Sequence, residues 1–264
     1  MADAENANAG QTPQSDDRNG QVAGRRPRGR TVLLLLILVA GVLFGLFVVV
    51  SVGKVREAAA IANSKNNIKQ ITIGFSAFHD TYGSFPTPYF QGYQPSAPPA
   101  HLSKRLSWRV GLIPYLEATS LYQEFKPDEP WDGPTNGPLG QKPFHVYQDR
   151  GRTSGPDYET PYRVFVGGGA VFDAEKPGKK YSDLTSGASN VLLFVDAEQT
   201  VPWTHYDELP FDPDRPLPPL GAPWREVFLA GMADGSARAI SKSIDPQVLK
   251  AAITATKGSP LPVD

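Results

Sequence analysis

The sequence predicts an α+β fold: one long amino-terminal helix packed on a small antiparallel sheet, with long proline-rich loops between the elements. Three observations carry this. An apolar run without one charge leads directly into a segment with helical spacing of its apolar residues, and no proline interrupts between Thr31 and Phe85. Short β-rich segments bounded by turn residues lie in the carboxy-terminal half. The chain also carries 26 prolines and 25 glycines among its 264 residues, so much of the rest must be turn and extended loop.

The elements can be justified in chain order. Residues 1–30 hold almost no large apolar side chains and cannot offset the entropy of ordering, so they read as a disordered tail. Thr31 to Val52, "TVLLLLILVAGVLFGLFVVVSV", is uncharged. At about 1.5 Å per residue it reaches roughly 33 Å, enough for a hydrocarbon core of about 30 Å, and it reads as a single transmembrane helix. Arg25, Arg26, Arg28 and Arg30 crowd its entry side, whereas only Lys54 and Arg56 follow its exit. That asymmetry predicts a cytoplasmic amino terminus and an exported body, residues 53–264, carried on the inner (cytoplasmic) membrane. The apolar run is too long for the core of a cleaved signal peptide, and the small-residue triplet Ala60–Ala62 lies too far beyond it. An uncleaved signal anchor is the better reading.

Beyond the span, Ile61, Ile68, Ile71, Phe75 and Phe78 recur at three-, four- and seven-residue intervals and so share one helical face. The helix, over about 53–82, should end at Tyr82-Gly83, where glycine can take the left-handed cap and Pro86 blocks continuation. Sheet and loops fill 86–241. "SWRVGLIPYLEATSLYQEF" predicts short helices bent at Pro114. "YRVFV" (162–166) and "NVLLFVDAE" (190–198) predict strands. "VFLAGMADGSARAIS" predicts two strands joined by a two-residue type I′ turn at Asp234-Gly235. Asp245 as N-cap, Pro246 at the first helical position and Gly258 past the end frame a last helix over about 245–257.

Composition excludes several functions. With 26 basic against 27 acidic residues, no basic surplus is available for nucleic acid. Cysteine is absent, which removes disulfides, thiolate nucleophiles and zinc–thiolate sites. The four histidines (79, 101, 145, 205) are widely scattered, and no two stand one helical turn apart as on a zinc-hydrolase helix. "VGGGAVFD" leads into a β-like run rather than a helix, so it turns the backbone and does not cradle phosphate. "DAEKPGKKYSDL" lacks the calcium-loop ligands after its first residue. No G-x-S-x-G elbow occurs. One stretch keeps a chemical reading open: in "DAEQTVPWTHYDELPFDPDRPLPPLG", Asp196, Glu198, Asp207, Glu208, Asp212 and Asp214 interleave with Trp203, Tyr206 and Phe211. Such an arm could take a cation, calcium foremost, or a carbohydrate; the alternative is a solvated polyproline-like loop. The carboxylate of Asp234 is the other candidate, against a plain turn. The residues to watch are thus Asp196, Glu198, Asp207 and Asp234, with no cofactor expected and no enzyme signature.

Taken together, "NNIKQITIGFSAFHDTYGSFP", "LSWRVGLIPYLEATSLYQEFKPDEPWDGPTN", "SGASNVLLFVDAEQTVPWTHYDELPFDPDRPLPPLG" and "MADGSARAISKSIDPQVLKAAITATKG" resemble the bacterial family called domain of unknown function 1559. Its members often begin like type II secretion pseudopilins and end in a segment named for a His, nine residues, then Asp-Gly. The resemblance implies an exported, membrane-anchored protein with a pseudopilin-like helix on a sheet, and it implies no activity. Two positions depart from the pattern. Trp224 stands where the named His is expected. Gly29 is followed by Arg30, and Leu34 stands at the fifth mature position where a pseudopilin carries Glu. Three readings remain: a structural or interaction protein of the envelope or a secretion-related assembly, a carbohydrate- or cation-binding protein or hydrolase, and a processed pseudopilin. Oligomeric state is not legible.

Overall fold

A computed structural model describes residues 28–90, 101–152, 155–256 and 261. The expected disordered tail, up to residue 27, and the expected cap Gly258 lie outside the described residues. The chain divides into two compact units, one up to Gly53 and the other from Lys54 onward.

Helix α1 spans Arg28–Tyr82, as the proline-free run requires. In the first unit its large apolar side chains, Val32 to Val52, are 40–70 % exposed. This is the one helix among the described residues long and apolar enough to cross a membrane. In the second unit the same helix buries a face: Ile68, Ile71 and Phe75 are fully buried, with Ile61 and Phe78 packed at the margin. The helix ends where expected, with the Gly83 N–H donating to His79 O (2.7 Å) at a φ of +73°.

Four short helices follow the pattern of prolines. Helix α2 is Trp108–Leu112, and a tight turn at Ile113–Leu116 follows with Pro114 in its second position, as the break there predicted. Helices α3 (Thr119–Glu124) and α4 (Asn136–Gly140) enclose "FKPDEPWDGPT". Buried Asn136 organises that loop: its amide donates to Lys126 O and Glu129 O, and its Oδ1 accepts from Lys126 N. Helix α5 is Pro246–Ile253 with Asp245 accepting from Gln247 N at 2.8 Å. It stops four residues short of the expected end, because Thr254 turns extended and Ala170 and Gly169 capture the following backbone.

Five strands make one sheet: β1 Glu159–Val166, β2 Leu192–Pro202, β3 Leu209–Pro210, β4 Val227–Met232 and β5 Ala237–Ser241, in the order β3-β1-β2-β4-β5. All pairs are antiparallel except β1 with β3, which run parallel over two residues, so the sheet is mixed rather than purely antiparallel. The parallel pairing follows from residues 203–208, which leave β2 and cross over to the far edge beside β1. The sheet is covered on both faces. Tyr162, Val164, Leu193 and Leu229 pack with α1 and α2, while Phe165, Val195, Phe228 and Ile240 pack with α5. Burial on both sides is why the strands read as continuous apolar runs rather than alternating ones. Gly231 in β4 is required by packing, since the Phe194 ring occupies the space a Cβ would fill.

Candidate functional site

The connection between β4 and β5 differs from the expected type I′ turn. The Gly235 N–H donates to Met232 O (3.1 Å) and the Met232 N–H to Ser236 O (2.9 Å), which closes a three-residue loop, Ala233 to Gly235. Only Gly235 has positive φ (+87°); Asp234 does not. This is a three-residue hairpin ending in a glycine bulge, and the extra residue lets Ala233 tuck into the core while its N–H donates to Val191 O. Asp234 is exposed. Its Oδ1 accepts from the Ser236 N–H (2.9 Å) and the Ser236 hydroxyl (2.6 Å), an arrangement that tightens the turn. Gly235 O accepts from Thr72 Oγ1 at 3.0 Å, so the hairpin tip is tied to α1. Gly235→Val should therefore destabilise the body by about 1–3 kcal/mol, the cost of a β-branched residue at that φ. Asp234→Asn should stay within about 0.5 kcal/mol, because an amide oxygen accepts the same bonds. Thermal melts of both variants with and without calcium measure this. A calcium-dependent rise in melting temperature that Asp234→Asn removes would restore a metal role.

The acidic arm does not stay together. Asp196 lies on β2, fully buried, with Oδ1 accepting from Leu229 N at 2.5 Å. Its Oδ2 has no hydrogen-bond donor and stands 3.7 Å from both Arg152 Nη2 and Arg225 Nη1. Neither arginine donates to it. Arg225 spends Nη1 and Nη2 on Asp149 (2.8 and 3.1 Å), and Arg152 spends Nη1 and Nη2 on Glu198 O and Ala197 O (2.5 Å each). Burial pushes the Asp196 carboxyl up to about 7, against the Leu229 N–H and the two guanidinium charges. Asp149 goes the other way. Burial opposes its charge, but hydrogen bonds from Arg225 and from Ser64 Oγ on α1 (2.6 Å) hold its carboxyl below the usual range. Two carboxylates and two arginines thus share one interior, joining α1, the segment before β1, β2 and the loop before β4.

Glu208 and Asp207 belong to a second network. Arg109, on α2 and fully buried, meets Glu208 Oε1 at 3.1 Å and donates to Trp203 O (2.8 Å), Tyr162 O (2.6 Å) and His205 O (2.9 Å). Glu208 also accepts from Val164 N at 2.8 Å. Burial raises the Glu208 carboxyl and lowers the Arg109 guanidinium. Asp207 pairs with Arg163 Nη2 at 2.6 Å. Asp212 pairs with Arg215 on the exposed bend that follows. Both networks use charge to fasten loop backbone to the core.

Of the arm's acidic residues, Glu198 faces outward, into a cleft of about 380 Å³ bordered by Arg152, Gln199, Thr200 and Trp224. Trp224, at the place where a His was expected, is 52 % exposed there. Asp234 stands apart from all of these, at the hairpin tip. The histidines are scattered as the sequence indicated: His79 accepts from Tyr181 N, His145 meets Gln148, and His205 lies tilted against Trp131 with ring centroids 4.3 Å apart. Among the described residues no three His, Asp or Glu side chains are grouped to hold a metal ion. Sequence reasoning missed Arg109, Asp149, Arg152 and Arg225. For Arg109 and Arg225 the signal was arginine set inside apolar runs, "SWRVGL" and "PWREVF"; Asp149 and Arg152, in "QDRGR", carried none.

No curated protein and no solved structure matches the chain. The family described as protein of unknown function (DUF1559) matches residues 53–148, from the exit of the apolar run through α2, α3 and α4 to the edge of the Asp149 network. Over that segment the chain is similar to the DUF1559 family.

Proposed function

We propose that this is a single-pass protein of the inner membrane, with its amino terminus in the cytoplasm and its body acting outside as a structural or binding module of the cell envelope or a secretion-related assembly. The observation that carries the reading is the uncharged stretch from Thr31 to Val52, whose apolar side chains are left exposed where a soluble protein would bury them. The arginine cluster before it supports the orientation. A binding role, rather than catalysis, is supported by how the buried ionisable groups are used: they are locked to backbone and to one another.

Protease added to spheroplasts tests the topology. It should remove the body while sparing the amino-terminal tail, and a protected body would overturn the orientation. Intact mass of the purified protein separates this reading from a processed pseudopilin, which would lack the residues up to Gly29.

A further inference from the structure

Three clefts on the body adjoin one another. The first, about 270 Å³, is lined by the amides of Asn63, Asn66 and Gln70 on α1 and reaches Arg150. The second, about 250 Å³, shares Arg150 and continues past Asp157 to Arg152 and Thr200. The third shares Arg152 and Thr200 and ends against Glu198, Gln199 and Trp224. A small-molecule site typically takes about 300–1,000 Å³ in one cavity. Here the third cleft alone reaches that range, at about 380 Å³, and the other two extend it through shared residues, which suits a ligand longer than one ring.

The walls say which polymer. Between Asp196 and Val201 strand β2 bulges out of register with β1, the carbonyls of Ala197 and Glu198 accept from Arg152, and the Glu198 N–H donates to Pro219 O, so no regular strand edge invites a peptide to add itself. The groove instead presents planar polar groups: carboxamides, a guanidinium and a carboxylate. Such groups bind the adjacent hydroxyls of a pyranose two at a time, in the plane of the ring. The exposed indole of Trp224 offers the complementary surface, an apolar face for the C–H side of the sugar. Charges of both signs line the path, Arg150 and Asp157 among them, so it does not select a polyanion. The floor is preformed, because Arg152 is clamped to Ala197 O and Glu198 O, which limits the ordering cost of binding.

We propose that this groove binds a linear polysaccharide, with Trp224 as the platform for one sugar ring and Glu198 and Gln199 as its hydroxyl partners. The inference rests on the body lying outside the cytoplasm, and it supplies that body with a ligand class.

The test is calorimetric titration of the full chain in an amine-oxide detergent, which carries no sugar headgroup. The probes are hexasaccharides of glucose, N-acetylglucosamine and mannose, with a proline-rich decapeptide as the competing class. Saturable binding of at least one hexasaccharide is expected, weakened about tenfold or more by Trp224→Ala and by Glu198→Gln. Both side chains are at least partly exposed, so the melting temperatures should hold, and Trp224→Phe should restore part of the affinity. No binding by any hexasaccharide, binding indifferent to Trp224→Ala, or preference for the peptide would each overturn the inference. The spheroplast experiment reads topology alone. A body removed by protease that binds no sugar would therefore sink this inference and leave the proposed function standing.

Discussion

Arg109→Met is expected to destabilise the body by about 3–5 kcal/mol, enough to leave much of it unfolded at 37 °C. Methionine fills similar volume, so the loss comes from charge and hydrogen bonding rather than from a cavity. Glu208 would lose the cation 3.1 Å away while remaining fully buried, and the carbonyls of Trp203, Tyr162 and His205 would lose their donor. An orphaned buried acceptor costs about 1–3 kcal/mol. Arg109→Lys should recover only part of this, since an ammonium cannot reach three carbonyls and a carboxylate in one plane. Combining Arg109→Met with Glu208→Gln should be milder than Arg109→Met alone, because the uncompensated charge is gone. Denaturant melts of the wild type, Arg109→Met, Glu208→Gln and the double variant, followed by near-ultraviolet dichroism, measure the cycle. A loss under about 1 kcal/mol for Arg109→Met, the range of an exposed pair, would show that the guanidinium is not the clamp its contacts describe.

Phe75→Ala should cost a comparable amount, about 3–5 kcal/mol, for a different reason. The ring is fully buried where α1 meets the sheet, with centroids 4.9 Å from Trp108, 5.7 Å from Phe172 and 5.8 Å from Phe194. Its removal leaves a void bounded by rigid rings that cannot collapse inward. Ile73→Ala is the control two residues away: that side chain is 62 % exposed and should change stability by no more than about 0.5 kcal/mol. Equal losses for the two variants would show that the helical face was assigned wrongly.

The helical face was legible because it is periodic: Ile61 to Phe78 repeat at helical spacing, and glycine and proline mark the end. Strands β1, β2, β4 and β5 were legible because their cores are β-branched and aromatic. The turn at Asp234-Gly235 was found but given one residue too few, since nothing local shows that Ala233 is needed inside. Strand β3 and its parallel pairing were not visible, as two residues ending in Pro210 carry no period. The acidic arm misled for an electrostatic reason. Carboxylates at 196, 207 and 208 look like a surface cluster until the partners are known, and those partners are arginines distant in sequence: Asp196 sees Arg152 and Arg225, and Glu208 sees Arg109. Pairing across such distances leaves no spacing to read. An arginine within an apolar run was the available clue.

The bond from Thr72 to Gly235 spans 163 positions of the chain, and this sets an order of events during synthesis. Helix α1 emerges first; Phe75 can meet Trp108 early, but the cover over its apolar face is complete only when the β4–β5 hairpin arrives close to the end. At about 5–20 residues per second, that is an interval of roughly ten to thirty seconds. Contacts so distant in sequence also close slowly once both partners exist, because the intervening loop must be ordered first. For that interval the nascent chain carries an incompletely covered apolar stripe that follows its long apolar segment in sequence. A lipid surface or a chaperone is the natural resting place for such a stripe, and the last hairpin to be made is the part that releases it.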